Sequence, residues 1–175
     1  MKLPLCYYGN PILRAKAEPI HEITDEIRKL ASDMVESMDA YNGAGIAAPQ
    51  IGHSIRLFVL RRYETLPDGK WTLSHEPYIY INPKILSYSK ETWVTDEACI
   101  SIPQLWLPVE RPLKIAVEST RLDGSLVIEE LEGMNARVVL HENDHINGVL
   151  FIDRVKKPYL HEAEGKLREI KKRFQ

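Results

Sequence analysis

VVLHENDHINGVLF (residues 138–151) places two histidines and a glutamate inside an otherwise apolar run. On a helix His141 and His145 lie one turn apart, so both rings project to the same side and can share one metal ion. Glu142 is about 100° around such a helix, so it is better placed to touch a metal-bound water than to be a third ligand. The stretch matches H-E-x-x-H, in which two histidines bind zinc and the glutamate is a base. Because unpaired polar side chains are costly in an apolar helix, this pattern predicts a central metal-binding helix.

Helical periodicity recurs on both sides of this stretch. The metal-binding helix is predicted from about Met134 to Asn147, with Gly148 as its stop. An N-terminal amphipathic helix is predicted behind a Thr24 N-cap, with Ile27, Leu30, Ala31, Met34 and Met38 on its apolar face. A C-terminal helix is predicted from Pro158, with an apolar stripe of Leu160, Ala163, Leu167, Ile170 and Phe174.

The segments between the N-terminal helix and the central helix are rich in β-branched and aromatic residues. We predict strands within 54–62, 77–85, 92–95, 113–120 and 126–132, with tight turns at Asp68-Gly69 and Asp123-Gly124. The sequence contains no repeat, low-complexity tract or linker. It therefore predicts one α+β domain over residues 1–175, a mostly antiparallel sheet packed around the metal-binding helix.

Composition excludes several classes of protein. The 23 Lys and Arg residues against 25 Asp and Glu give no basic field for DNA, and no apolar run approaches the roughly 20 residues of a membrane span. Two cysteines, Cys6 and Cys99, do not make a disulfide framework. We expect no membrane or DNA partner, and a bacterial cytoplasm or an organellar matrix as the compartment.

The third metal ligand has two candidate positions. The metzincin pattern would need histidine where the chain has Phe151, so that form fails. A downstream carboxylate, Glu162 or Glu164, would make the protein a metallo-endopeptidase, although these residues also fit as solvated partners of neighbouring lysines. Upstream, Cys99 is a soft thiolate donor next to Ile100 and Ile102, or else a small apolar core residue. A non-enzymatic domain with a structural metal is a further alternative, and it would need a closed fourth ligand.

Three separated segments together resemble the peptide deformylases. They are GAGIAAPQ (43–50), EACIS (97–101) and HENDH (141–145), in that family's order and at compatible spacings. Weaker similarity extends from NPILR near the start to FIDR at 151–154, so most of the chain is covered.

The resemblance implies a site and a reaction. Cys99, His141 and His145 would bind one divalent metal ion, with water as the fourth ligand. Glu142 would take a proton from this water, which attacks the formyl carbon of an N-formylmethionyl peptide, and would pass the proton to the departing amine. The Gln50 side-chain amide and the backbone N–H of Ile100 would stabilise the developing oxyanion.

The resemblance also implies a peptide-binding cleft. Gly45 and Ile46 would border it, so that the substrate backbone pairs there as an added strand. Val138, one helical turn before His141, would line an apolar pocket for methionine. The family typically has glycine where this chain has Ala98, so a Cβ stands where the substrate should pass, and it would be strained if φ were positive. We therefore expect Ala98 to affect substrate range and turnover more than metal binding.

Further expectations concern the metal and the partners. A Cys/His/His set accepts Zn²⁺, Ni²⁺ or Co²⁺, and the resemblance implies Fe²⁺ as the physiological ion. The basic side of the last helix (Lys166, Arg168, Lys171, Lys172 and Arg173) would make a transient ribosome contact, although interleaved glutamates also fit a solvated face. Asp144 is expected to orient the helix or to pair with Arg154, and Glu97 to tie its loop to Arg111.

Overall fold

The computed structural model describes residues 1–174, which form three α-helices and nine strands. The α-helices are α1 (Asp25–Ala40), α2 (Gly133–Ile146) and α3 (Lys157–Arg173). One-turn 3-10 helices span Pro11–Arg14, Ala48–Ile51 and Phe151–Arg154. None of the helices in this described part of the chain is long and apolar enough to cross a membrane.

All strands within the three sheets pair antiparallel. The largest sheet has the order β1 (Gly45–Ala47), β2 (Leu57–Leu60), β5 (Tyr78–Tyr88), β8 (Lys114–Thr120), β9 (Leu126–Glu132). Two smaller sheets pair β3 (Tyr63–Thr65) with β4 (Trp71–Leu73), and β6 (Thr92–Cys99) with β7 (Ile102–Pro112). The predicted α+β class is confirmed, with α1 before the strands and both α2 and α3 after β9.

The helices begin where the sequence predicts. The Thr24 side chain accepts a hydrogen bond from the Ile27 N–H at 3.4 Å, which caps α1 as expected. The apolar face of α1 buries Ala31, Met34 and Met38. Residues 136–140 of α2 are all buried, because this helix is packed between the large sheet and β7.

One long strand was not predicted. β7 carries Pro103, Pro108 and Pro112, and proline usually argues against a strand because it lacks an N–H donor. In a two-stranded sheet each strand also has an edge that needs no partner, so these prolines are tolerated. Short β1, β3 and β4 were likewise missed, and three residues are too few for a clear alternating pattern.

The fold brings three distant segments together. β1 and the Ala48–Ile51 turn lie against α2, and the end of β6 reaches the same helix from the side of β7. Residues near 45–50, 97–101 and 138–145 therefore surround one cavity.

Candidate metal centre and active site

Cys99, His141 and His145 meet at the centre of the fold. One ligand atom from each lies within 4.8 Å of the other two, and Cys99 Sγ is 3.3 Å from His145 Nε2. The two rings are stacked edge to face along α2 with their centroids 5.1 Å apart, as expected for residues one helical turn apart. The structure thus brings together the three side chains that the sequence predicts as metal ligands.

The pairing of β6 with β7 is irregular beside Cys99. Glu97 pairs with Leu107 and Cys99 pairs with Ile102, so the extra residues of this irregularity lie on β7, at 103–106. Glu97 and Cys99 are both buried on the side that faces the histidines. Ala98 is not among the residues with positive φ, so its backbone has no conformational strain. The strain considered from the sequence is therefore absent.

Glu97 fixes the orientation of His141. His141 Nδ1 donates to Glu97 Oε1 at 2.9 Å, which leaves Nε2 for a metal ion. The same carboxylate accepts two hydrogen bonds of 2.8 Å from Arg111 and one of 2.6 Å from Arg137. Burial would raise the pKa of Glu97, but Arg111 and His141 outweigh it and hold this pKa well below its usual range. The predicted contact between Glu97 and Arg111 is confirmed.

Asp144 continues this buried network on the next turn of α2. Asp144 accepts one hydrogen bond of 2.7 Å from Arg111 and two hydrogen bonds, of 2.6 and 2.7 Å, from Arg154. The expected pairing with Arg154 is confirmed, and Arg111 links Asp144 to Glu97. Carboxylates and guanidinium groups therefore alternate behind the histidines and brace α2 against β6 and β7.

Glu142 is buried beside the cluster. It is 3% exposed, and among the described residues its Oε2 has no hydrogen-bond partner. Burial raises the pKa of Glu142 to about 7, a value at which a carboxyl group both takes and returns a proton near neutral pH. Its neighbour is the backbone of Gly45, where an added Cβ would lie 2.6 Å from Oε1.

Gln50 is held rigidly with its amide near Cys99. Its Oε1 accepts from the Ala47 N–H at 2.8 Å, and its Nε2 donates to Ser101 Oγ at 3.1 Å. The same nitrogen is 3.5 Å from Cys99 Sγ. Because Gln50 is buried and both ends of its amide are fixed, an N–H donor faces the metal cluster without reorganisation.

A cavity of about 550 Å³ opens over these side chains. Three of the predicted cleft residues line it, namely Gly45, Ala98 and Val138, together with Ile100. The side chain of Ile46 is fully buried in the core cluster with Met34 and Met38 of α1, so its backbone alone is left for the predicted pairing with a peptide. The pairing of Ile46 with Val59 in β2 explains this, since alternate strand residues face opposite sides.

The alternative carboxylate ligands lie elsewhere. Glu162 and Glu164 are exposed on α3 and are not part of the cluster. Glu164 approaches His161 at 3.4 Å and Arg168 at 3.8 Å, as a solvated helix residue does. The endopeptidase interpretation therefore lacks its third ligand.

The donor set fits a divalent metal ion. Bond lengths of about 2.3 Å to sulfur and 2.0–2.1 Å to nitrogen put tetrahedral ligand atoms about 3.5 Å apart, close to the contact between Cys99 and His145. Burial lowers the pKa of His141, but Cys99 and Glu97 outweigh it and raise this pKa well above its usual value, whereas burial lowers the pKa of His145 well below its usual value. Cys99 and His141 line the cavity, so an ion that they held would be open to it, as in a catalytic rather than a structural site.

Several residues that build the site were missed by sequence reasoning. Ser101 orients Gln50, and Arg137 is a buried cation bonded to Glu97 and to backbone carbonyls of Val109 and Trp93. A signal for Arg137 was its position inside the apolar run before His141. At the cavity mouth, Tyr7 and Phe174 are a further pair, and nothing in their sequence spacing marks them.

Comparison with known proteins gives a consistent result. The model of the polypeptide deformylase family matches residues 2–160. A peptide deformylase of Thermotoga sp. (strain RQ2) is 41% identical over 148 residues, 85% of this chain and 84% of that protein. One from Acinetobacter baumannii (strain SDF) is 40% identical over 151 residues, 86% of this chain and 81% of that protein.

Solved structures agree in fold. The crystal structure of peptide deformylase from Thermotoga maritima has a TM-score of 0.80 and 38% identity, covering 89% of this chain and 99% of that chain. A class I type b peptide deformylase from Acinetobacter baumannii, with Met-Ala-Ser bound, has a TM-score of 0.81 and 33% identity over 89% of this chain and 99% of that one.

Proposed function

The chain belongs to the peptide deformylase family, and from that premise we propose that Cys99, His141 and His145 hold the metal ion of its deformylase site. The protein is a metal-dependent hydrolase that removes the N-terminal formyl group from nascent peptides. The observation that carries the residue assignment is the Cys/His/His cluster beside a buried glutamate whose pKa is about 7.

A divalent ion bound there supplies Lewis-acid activation of water and positive charge near the formyl carbonyl. Glu142 takes the proton of the attacking water, because burial leaves its carboxylate basic near neutral pH. Once protonated, Glu142 donates the same proton to the departing amine, so that formate and a free N-terminus result. No covalent attachment to the protein is needed.

Two N–H donors serve the oxyanion that forms from the formyl oxygen. We assign them to the Gln50 side-chain amide and to the backbone N–H of Ile100, since both residues line the cavity beside Cys99. Donors that are fixed before the reaction stabilise developing charge at little reorganisation cost, and the bonds from Ala47 and to Ser101 fix Gln50 in this way.

The cleft accounts for recognition of formylmethionyl peptides. β1 is an edge strand, so its unpaired side is available to an extended peptide near Gly45. Val138 and Ala98 line the cavity, and Val138 is placed to contact an apolar methionine side chain. Hydrogen bonds to the peptide backbone do not distinguish between side chains, so selectivity rests on the formyl group and this apolar contact. Ile46 contributes its backbone alone.

We assign Fe²⁺ as the physiological ion, with Zn²⁺, Ni²⁺ and Co²⁺ as ions that the same donors accept. The thiolate of Cys99 and two imidazoles suit all four, so metal content must be measured in protein purified without oxygen. The catalytic unit is residues 1–175, acting in a bacterial cytoplasm or an organellar matrix.

The test is formate release from formyl-Met-Ala-Ser by Fe²⁺-loaded protein. We expect Cys99→Ala to lose both bound metal and activity, and Glu142→Ala to keep the metal but lose 10²–10⁴-fold in kcat. Glu164→Ala is the matched control and should keep both. Full activity in Cys99→Ala, or a loss in Glu164→Ala, would return the endopeptidase ligand set to consideration.

A ribosome contact is proposed for the basic side of α3. Lys171 and Lys172 are exposed, and cations on one face favour phosphate backbones. The double variant Lys171→Glu and Lys172→Glu should weaken co-sedimentation with ribosomes at low salt, whereas Lys84→Glu with Lys90→Glu, two exposed lysines elsewhere, should not. Equal sedimentation of both double variants would contradict this contact.

A further inference from the structure

The C-terminal end of α3 forms part of the active-site cavity. Arg173 and Phe174 line the same cavity as Glu142 and Cys99. The family model matches residues 2–160, so both lie beyond it. Arg173 and Phe174 can therefore give this cavity a binding property that the family's motifs do not specify.

Phe174 is stacked on Tyr7, which also lines the cavity. Their ring centroids are 3.8 Å apart and the planes differ by 11°. Tyr7 is itself held to the catalytic segments, because the Cys6 N–H donates to the Gln50 carbonyl at 2.7 Å and the Tyr8 N–H donates to the Ser101 carbonyl at 2.9 Å. The aromatic pair thus has a fixed position relative to the metal cluster.

α3 is anchored tightly enough to hold Phe174 there. Leu167 and Ile170 are buried in the same core cluster as Cys99, and Lys166 Nζ reaches Gln104 Oε1 at 3.4 Å. Phe174 remains 37% exposed, so the stack leaves part of its ring open. The Arg173 guanidinium lies 5.2 Å from the Phe174 ring centroid, so this part of the cavity wall combines two aromatic rings with one cation.

We propose that Phe174 and Tyr7 form a subsite for a large apolar or aromatic side chain one or two residues downstream of formylmethionine. The inference rests on the proposed deformylase site, because the subsite is continuous with that cavity. A second aromatic ring that packs against the exposed part of Phe174 would stabilise the bound peptide, whereas an alanine side chain is too short to make this contact. The subsite would therefore make the enzyme selective beyond its first residue.

The test compares three peptides, formyl-Met-Ala-Ser, formyl-Met-Phe-Ser and formyl-Met-Ala-Phe, with metal-loaded enzyme. We expect kcat/KM for at least one phenylalanine peptide to exceed that for formyl-Met-Ala-Ser by about three- to tenfold, the factor that corresponds to one aromatic pair. Phe174→Ala should abolish this ratio, and Phe174→Tyr should restore it. The control is Tyr159→Ala, an exposed aromatic on the same helix outside the cavity, which should keep the ratio.

An unchanged ratio in Phe174→Ala would overturn the subsite. So would an equal loss on all three peptides, because a merely structural wall lowers every rate alike. If the wild-type enzyme with bound metal released no formate from any peptide, the proposed function itself would fail, and this outcome is distinct from a lost ratio.

Discussion

Gly45 and Glu142 approach each other so closely that residue 45 has no room for a side chain. A Cβ there would lie 2.6 Å from Glu142 Oε1 and 2.9 Å from Cδ and Cγ. Real Cβ atoms are not found at such distances, so any larger residue must displace the carboxylate. Because residue 45 has no side chain, the carboxylate of Glu142, the proposed proton carrier, can occupy its position against the backbone there.

Gly45→Ala should therefore lower kcat while leaving the metal bound. Misplacing a catalytic group by about 1 Å costs on the order of 10²-fold in rate, so we expect a loss of that size. Bound metal, measured by elemental analysis beside formate release, separates this effect from damage to the Cys99 cluster.

Gly165→Ala is the matched control. Gly165 lies within α3, and a Cβ there would meet no atom within 4 Å. This substitution should keep kcat and stabilise the protein by about 0.5–1 kcal/mol, because alanine favours a helix interior. If both alanine variants turned over at the wild-type rate, contact with Gly45 would not position Glu142.

Glu97→Gln should weaken metal retention. The neutral amide has one acceptor oxygen in place of two, so Arg137 would lose its carboxylate, Arg111 would keep only that of Asp144, and His141 would lose its charged acceptor. Loss of such a partner behind a metal-bound histidine typically costs 10–100-fold in affinity. Chelator competition with the metal-loaded protein measures this, and Glu130→Gln, at an exposed glutamate of β9, is the control. Equal affinity in the two variants would show that Glu97 serves folding alone.

Ser101→Ala should reduce kcat more than it changes KM. The variant removes the acceptor of the Gln50 amide, which then loses its fixed direction toward the metal cluster. We expect a loss of about tenfold, with the metal retained. Ser119→Ala is a matched control, because Ser119 is equally buried and its Oγ has no partner among residues 1–174. Similar rates for both alanine variants would argue against a role for Ser101.

The acid stability of the protein should depend in part on Glu129. Burial would raise the pKa of Glu129, but hydrogen bonds and charges from Arg62 and Arg121 outweigh it and lower this pKa. Because the folded-state pKa is below the unfolded value of about 4.3, the carboxylate stabilises the fold above that pH. Its contribution is lost as the pH falls through the folded-state pKa.

Urea unfolding of wild type and Glu129→Gln at several pH values tests this. At pH 7 we expect the variant to be about 1–2 kcal/mol less stable, since the lost hydrogen bonds are to charged groups. The difference should shrink as the pH falls below about 4.3. A gap of constant size down to pH 3 would mean that the ion pair with Arg62 is not its source.

Local patterns predicted the helix that carries two of the three proposed metal ligands. The helical spacing of His141 and His145 and the Thr24 cap depend on residues a few positions apart, and both appear in the structure as expected. Contacts of Glu97 with Arg111 and Arg137 join residues 14 and 40 positions away, through a sheet pairing that the sequence does not specify. Arg111 was proposed as a partner, whereas Arg137 was not.

Phe174 shows where periodicity fails. Helical spacing placed it on the apolar stripe of the last helix with Leu167 and Ile170, which are indeed buried. The helix ends at Arg173, so Phe174 no longer follows its spacing and instead stacks on Tyr7 at the cavity mouth. A residue beyond the last turn of a helix no longer follows the helical period, and its aromatic partner, Tyr7, lies far away in the sequence.

Ala98→Gly should raise kcat/KM on formylated peptides. Ala98 lines the cavity immediately before Cys99, so its Cβ occupies space along the proposed peptide path. Because its φ is not positive, alanine is unstrained there, and glycine should cost about 0.5–1 kcal/mol of stability through added freedom in the unfolded chain. Activity and stability are thus expected to change in opposite directions.

The two effects are measured separately, by formate release from formyl-Met-Ala-Ser and by urea unfolding of the same metal-loaded samples. A rise in kcat/KM through KM would place the Cβ in contact with bound peptide, whereas a rise through kcat would indicate that it displaces the formyl group from Glu142. An unchanged or lower kcat/KM would show that the peptide passes Ala98 without contact. In that case Ala98 would affect only the stability of the end of β6, where Cys99 lies.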